Sequence, residues 1–155
     1  MVPGYADAAK WVYEQALTPL GWGHDGLIAL TEVRHIHALA MGKVWEVAPQ
    51  TEASLQESPG NFRTHEIHEF AGGVKPPSHP LIHPKLTALV NEINEVGRRI
   101  KAGTLASENV PEKLAWLHRG FEQIHPFIDG NGWTRRLVMN LILVRLGWPP
   151  AIVLK

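Results

Sequence analysis

Three stretches in the second half of this chain carry apolar residues at three- and four-residue spacing, and glycine or proline stands between them. Leu86, Leu89, Val90, Ile93, Val96 and Ile100 form one stripe, ended by Gly103. Leu114, Leu117, Phe121 and Ile124 form a second, with Ser107 or Asn109 as its cap and Pro111 in its first turn. Leu137, Val138, Leu141, Ile142, Val144 and Leu146 form a third. This is the period of helices that bury one face, so the chain is expected to fold as a bundle around a shared core.

The first half is punctuated in the same way. Asp7 to Ala16 reads as a short helix ended by Thr18-Pro19-Leu20-Gly21. Thr31-Glu32 begins a second, with Val33, Ile36, Leu39 and Ala40 on one face and Gly42 as its stop. Val47 to Pro59 is expected to hold only a short turn of helix. From Pro59 to Pro84 the pattern changes: Gly72-Gly73 separates Ile67-His68-Glu69-Phe70 from Val74-Lys75, and prolines crowd the stretch that follows. That reads as a hairpin or extended loop. The expected fold class is all-α, a single domain over residues 1–155 with one small β-hairpin.

With 155 residues the chain is about one domain, long enough to bury a core. Fifteen basic and fifteen acidic residues leave no net charge, which argues against a nucleic-acid partner or an anionic membrane surface. There is no cysteine for disulfides or thiolate chemistry. The N-terminus lacks a basic region followed by an apolar run, and no stretch approaches the length of a membrane span, so a cytoplasmic protein is expected.

The chemistry is concentrated in His125-Pro126-Phe127-Ile128-Asp129-Gly130-Asn131-Gly132-Trp133-Thr134-Arg135-Arg136. A histidine can take a proton from a hydroxyl, and a carboxylate can hold a divalent cation. Glycines around an asparagine let amide N–H groups approach an anion, and a helix starting at the turn adds its dipole. These residues together suggest reaction at a phosphate.

The stretch closely resembles the signature of the Fic (filamentation induced by cyclic AMP) family, His-Pro-Phe-x-Asp/Glu-Gly-Asn-Gly-Arg-x-x-Arg. Eight of its nine defined positions match; Trp133 stands where the family has its first arginine. Gly60-Asn61-Phe62-Arg63 matches the family's upstream Gly-x-Phe-Arg element, and His118, Phe121 and Ile124 match the lead-in. The resemblance spans roughly residues 30–150, with the signature loop and helix over 125–146. It implies a Fic-type helical bundle with a flap at residues 65–79 that docks a target protein by strand addition. It also implies a further helix beyond Pro149-Pro150, so that the chain is a core fragment.

The implied reaction is transfer of AMP from ATP to a Ser, Thr or Tyr hydroxyl of a protein. His125 is then the general base, with an ordinary pKa near ~6.5. Asp129 holds Mg²⁺ bridging the α- and β-phosphates. Gly130, Asn131 and Gly132 bind the nucleotide phosphates through their amides, with the Asn131 side chain as a further donor. Arg136 takes the place of the second arginine, whose planar guanidinium can fork onto two phosphate oxygens. Trp133 cannot replace the missing arginine, since an indole has one N–H and no charge. Nor does Arg135 obviously replace it, because two residues along a helix is about 200° around the axis.

Each feature also has a plainer reading. His125 alone could be a structural histidine, Phe127 a core anchor beside the nucleotide site, and His118 a hydrogen-bonded scaffold residue. The pairs His35/His37, His65/His68 and His79/His83 lack a third ligand in register for a metal. Lys75 is a single loop lysine, and Trp11, Trp22, Trp45, Trp116 and Trp148 read as core or interface packing. Thr104-Leu105-Ala106-Ser107-Glu108-Asn109 fits the family's inhibitory pattern Ser/Thr-x-x-x-Glu-Gly/Asn literally, yet its place between core helices reads as one helix stopping and the next starting. Inhibition is then expected from a separate antitoxin-like protein or from sequence beyond this chain. Two other functions stay open: another phosphoryl or nucleotidyl transfer, such as a Doc-like kinase, and a degenerate domain that binds nucleotide or protein without turnover.

Overall fold

The computed structural model describes residues 4–17, 26–49, 53–67 and 75–151. Five helices build it: α1 (Tyr5–Leu17), α2 (Leu30–Val47), α3 (Ile82–Lys101), α4 (Val110–Ile124) and α5 (Asn131–Arg145), with single turns of 3₁₀ helix at Leu55–Glu57, His79–Leu81 and Ser107–Asn109. No β-strand occurs among the described residues, and the middle of the hairpin expected at 65–79, residues 68–74, lies outside them. None of their helices is long and apolar enough to cross a membrane.

The central helix is α5, which packs against α1, α2 and α4, while α3 packs against α4. Ala8 and Val12 of α1, Val33, Ile36 and Ala40 of α2, and Leu137, Leu141 and Ile142 of α5 are all buried in one core. The stripes of α3 and α4 join that core, as their spacing predicts.

Both boundaries of α2 differ from expectation, and α1 extends a residue or two beyond the expected Asp7 to Ala16 at each end. Helix α2 runs through Gly42 to Val47. A glycine inside a helix costs only about 1 kcal/mol, and burial of Ile36, His37, Ala40 and Met41 against the core outweighs it. The helix also starts at Leu30, where the Glu32 carboxylate reaches back to accept the Ala29 N–H at 3.0 Å. The stop and start around Gly103 are as expected: α3 ends at Lys101 and a turn over Ser107–Asn109 leads into α4.

One buried ion pair ties the end of α5 to the start of α2. Arg145 at the end of α5 grips Glu32 with two bonds of 2.7 and 2.9 Å and also donates to the Leu27 carbonyl at 2.7 Å. Their side chains are 5 and 0 % exposed. Removing one partner of such a pair strands a buried charge. Arg145→Ala is therefore expected to lower the unfolding free energy by about 3 kcal/mol or more in urea titrations.

Candidate active site

The last two helices meet at the loop 125–130. His125 ends α4 as its C-cap with φ 49°, the sole positive φ of a non-glycine among the described residues. Left-handed backbone costs a residue with a Cβ roughly 1 kcal/mol, so this position is held by its surroundings. Gly130 caps α5 with φ 77°, and a Cβ there would also lie 2.5 Å from Met41 Sδ. Only glycine meets both demands.

Asn131 closes the loop. Its Oδ1 accepts the Phe127 N–H at 2.9 Å, and its Nδ2 donates to the Phe127 carbonyl at 2.8 Å. The side chain expected as a further anion donor is thus occupied as a strut, because the tight turn leaves the Phe127 backbone groups without other protein partners. The Gly130 amide is also engaged, donating to Asp129 Oδ1 at 2.7 Å. The helix amides free of intrahelical acceptors are then those of Asn131, Gly132 and Trp133, since the first i to i−4 bond runs from the Thr134 N–H to the Gly130 carbonyl. They make the start of α5 the anion-attracting end of the loop.

A pocket of about 210 Å³ is lined by His125, Asp129, Gly130, Asn131 and Gly132, together with Ile128 and Trp133. Five of the seven residues singled out in the sequence therefore share one cavity. Phe127 does not line it; it is fully buried beneath the loop. Nor is Arg136 part of the lining. Its Nε donates to the Gly132 carbonyl at 3.1 Å, so the side chain folds back toward the start of the helix. Trp133 occupies the wall where the resemblance has an arginine. Arg135 turns instead to α4, pairing with Glu122 at 2.9 Å. The Nδ1 of His118, a residue expected to be hydrogen-bonded, has no hydrogen-bond partner among the described residues; burial and the charges of Arg135 and Arg136 lower its pKa, with Glu122 opposing.

Burial lowers the His125 pKa, and the charges of Arg63 and Arg135 lower it further. The imidazole is thus biased to the neutral, proton-accepting form. No group of three metal-ligating side chains occurs among the described residues. The single carboxylate of Asp129 at the pocket fits a cation that arrives with phosphate oxygens and water as its other ligands.

Three residues that brace this loop are not assigned by local sequence reading. His37 of α2 stacks on Phe127 with centroids 3.7 Å apart and planes within 5°. Its Nδ1 accepts the Gly60 N–H at 2.8 Å, which leaves Nε2 to donate to the Asp129 carbonyl at 2.8 Å. Arg63 is 1 % exposed and donates to the carbonyls of His125 (2.8 Å), Ile124 (3.3 Å), Pro77 (2.7 Å) and His65 (3.0 Å). Glu57, also buried, accepts the Ser54 and Thr64 amides and bonds His65. Burial pushes its pKa up, but these bonds prevail and bring it down to about 2. A signal was present for His37: it is a polar residue that falls between Ile36 and Ala40 on the buried face of α2.

Fold and site together define a class, a helical bundle that turns a histidine, a carboxylate and a helix N-terminus onto one small pocket. The family profile described as the Fic/DOC family matches residues 27–143, and the chain belongs to that family. It is 38% identical over 96 residues to the protein adenylyltransferase Fic of Drosophila persimilis, covering 62% of this chain and 17% of that protein. It is 31% identical over 130 residues to protein adenylyltransferase fic-1 of Caenorhabditis elegans, covering 84% of this chain and 22% of that protein. A Fic domain containing signaling protein from Bacteroides thetaiotaomicron superposes with a TM-score of 0.68 at 20% identity, over 97% of this chain and 49% of that one. The chain spans about a fifth of the length of these curated relatives.

His37 makes the loop sensitive to acid. Burial lowers its pKa from 6.5 to about 4, against the opposing bond to Asp129. The unfolded chain then binds this proton more readily than the folded one, so the contribution is intact above about pH 6.5 and is lost as pH falls toward 4. Unfolding free energy is expected to drop by about 3 kcal/mol over that window on account of His37 alone. A His37→Asn protein, weaker at pH 7, should show a shallower slope in denaturant titrations run from pH 7 to 4.

Proposed function

We propose that this protein transfers AMP from ATP to a Ser, Thr or Tyr hydroxyl of another protein, forming a bond from the hydroxyl oxygen to the α-phosphorus as the bond to the β-phosphate breaks and pyrophosphate leaves. The observation that carries this reading is the single pocket in which His125, Asp129 and the first amides of α5 converge, in a chain whose relatives are named protein adenylyltransferases. A neutral imidazole at the mouth of an anion-attracting helix suits removal of a proton from a hydroxyl as it attacks phosphorus. His125 is the base in this reading, and Asp129 would hold Mg²⁺, which supplies charge neutralisation at the phosphates. The amides of Asn131, Gly132 and Trp133 face the charge that develops on phosphate oxygens. Arg136 reaches the terminal phosphates from the rim. Gly130 and the Asn131 side chain shape the loop, and Phe127 anchors it below. Target docking by the flap at residues 65–79 and restraint by a separate antitoxin-like protein, in the cytoplasm, belong to the same reading.

Trp133 favours a second reading, a domain that binds nucleotide or protein with little turnover. Losing one charged donor weakens transition-state binding by about 2 to 4 kcal/mol, by analogy with an oxyanion-hole donor. Incubation with Mg²⁺ and ATP labelled at the α- or the γ-phosphate separates the possibilities. Label from the α position on protein is expected; label from the γ position identifies a kinase, and label from neither the binding domain. Trp133→Arg should raise α-label incorporation by about tenfold or more. His125→Ala should abolish it, and a His125→Ala protein as active as wild type sinks the mechanism.

The pH profile offers an independent check. Because the His125 pKa is lowered, the acidic limb of the rate profile should have its midpoint below 6.5. Arg135→Ala removes one of the lowering charges and should move that midpoint upward.

A further inference from the structure

A second concave surface lies between α3 and α4, a groove of about 660 Å³ outside the pocket of His125 and Asp129. Its walls include Lys85, Leu89 and Glu92 from α3 and Trp116, Arg119 and Ile124 from α4. Gly120 sets the floor, for a Cβ there would come within 3.1 Å of Leu89 Cδ1. The short connection at 102–109 makes α3 and α4 antiparallel neighbours. With Leu89 level with Gly120, Lys85 stands level with Ile124 and Glu92 near Trp116. The groove therefore has a direction: one end adjoins the residue before His125, and the other lies roughly 12 Å along the helix at Trp116.

Three observations say what it would take. Trp116 is 54 % exposed, with the Lys113 ammonium 4.7 Å from its ring centroid, and a tryptophan at the end of a groove is the residue type that anchors protein partners. The charges are unequal: Lys75, Lys85 and Arg119 face one carboxylate, Glu92, at the Trp116 end. Finally, Arg63 bonds Pro77 and Ile124, which both line the groove, and His125 beside them. Groove wall and catalytic loop are one hydrogen-bonded unit.

We propose that this groove docks an acidic, extended segment of the protein whose hydroxyl is modified. Asp or Glu side chains meet Lys85 beside Ile124 and Arg119 midway along the groove, and an apolar side chain lies against Trp116. About four extended residues cover the distance, so the anchor sits about four residues from the hydroxyl. The proposal rests on the reading of this protein as a transferase acting on protein hydroxyls. It supplies side-chain selectivity that strand addition alone does not.

Two fluorescent peptides test it on the full chain by anisotropy. Each carries one Thr with a Phe four residues to either side; the intervening residues are Glu and Asp in one peptide and Lys in the other. The acidic peptide is expected to bind about tenfold tighter, as two exposed ion pairs made rather than opposed would give. Added salt should narrow the gap. The double variant Lys85→Glu/Arg119→Glu should reverse the preference, and Trp116→Ala should weaken the acidic peptide without changing its sign. Equal affinities, binding of neither peptide, or a preference unmoved by charge reversal overturns the proposal. The measurement needs no turnover: a protein that prefers the acidic peptide but transfers no AMP keeps the groove and loses the reaction, and the opposite result does the reverse.

Discussion

A guanidinium buried to 1 % exposure and bonded to four backbone carbonyls is the constraint on which the rest of this structure depends. A charge taken out of water must be answered by oriented dipoles or by an opposite charge. Arg63 is answered by the carbonyls of Ile124 and His125 on one side and of His65 and Pro77 on the other. Burial pulls its pKa below the ordinary guanidinium value, with Glu66 and Glu57 opposing. The helix end that presents the histidine and the segments at His65 and Pro77 therefore cannot shift independently. Each would have to abandon a bond to a cation that has no water to turn to.

Around this clamp the loop is braced from below and from within. His37 presses a flat face on Phe127 and holds the Asp129 carbonyl, and Asn131 closes the turn onto the Phe127 backbone. The Asn131 side chain is thus engaged in holding the loop, while the amides of Asn131, Gly132 and Trp133 stay free of intrahelical acceptors. Such a division suits preorganised stabilisation, since fixed dipoles need not reorganise when charge develops.

The helices α3, α4 and α5 were legible because each carries a strong stripe of period 3.6, and the loop was legible because its residues are contiguous. The end of α2 was not. Gly42 is a local signal for a stop, whereas the burial that carries the helix past it comes from chain far away. Long-range pairs escaped for the same reason: His37 meets Asp129 from 92 positions away, and Glu32 meets Arg145 from 113. The bonds from the Asn131 side chain to the Phe127 backbone were not legible, because residue type shows a donor without showing where it is used. Trp116 shows the complementary limit. Composition says that tryptophans pack, but only the helix register says that this one stands 54 % exposed.

The backbone of His125 sets stability and chemistry against each other at a single position. At φ 49° a glycine would sit without strain, and no other residue at that helix end is asked for a side chain in so unfavourable a conformation. His125→Gly would therefore relieve the backbone of roughly 1 kcal/mol and in the same step empty the pocket of its imidazole, so one dihedral angle ties the conformation of the helix end to the identity of the side chain it carries.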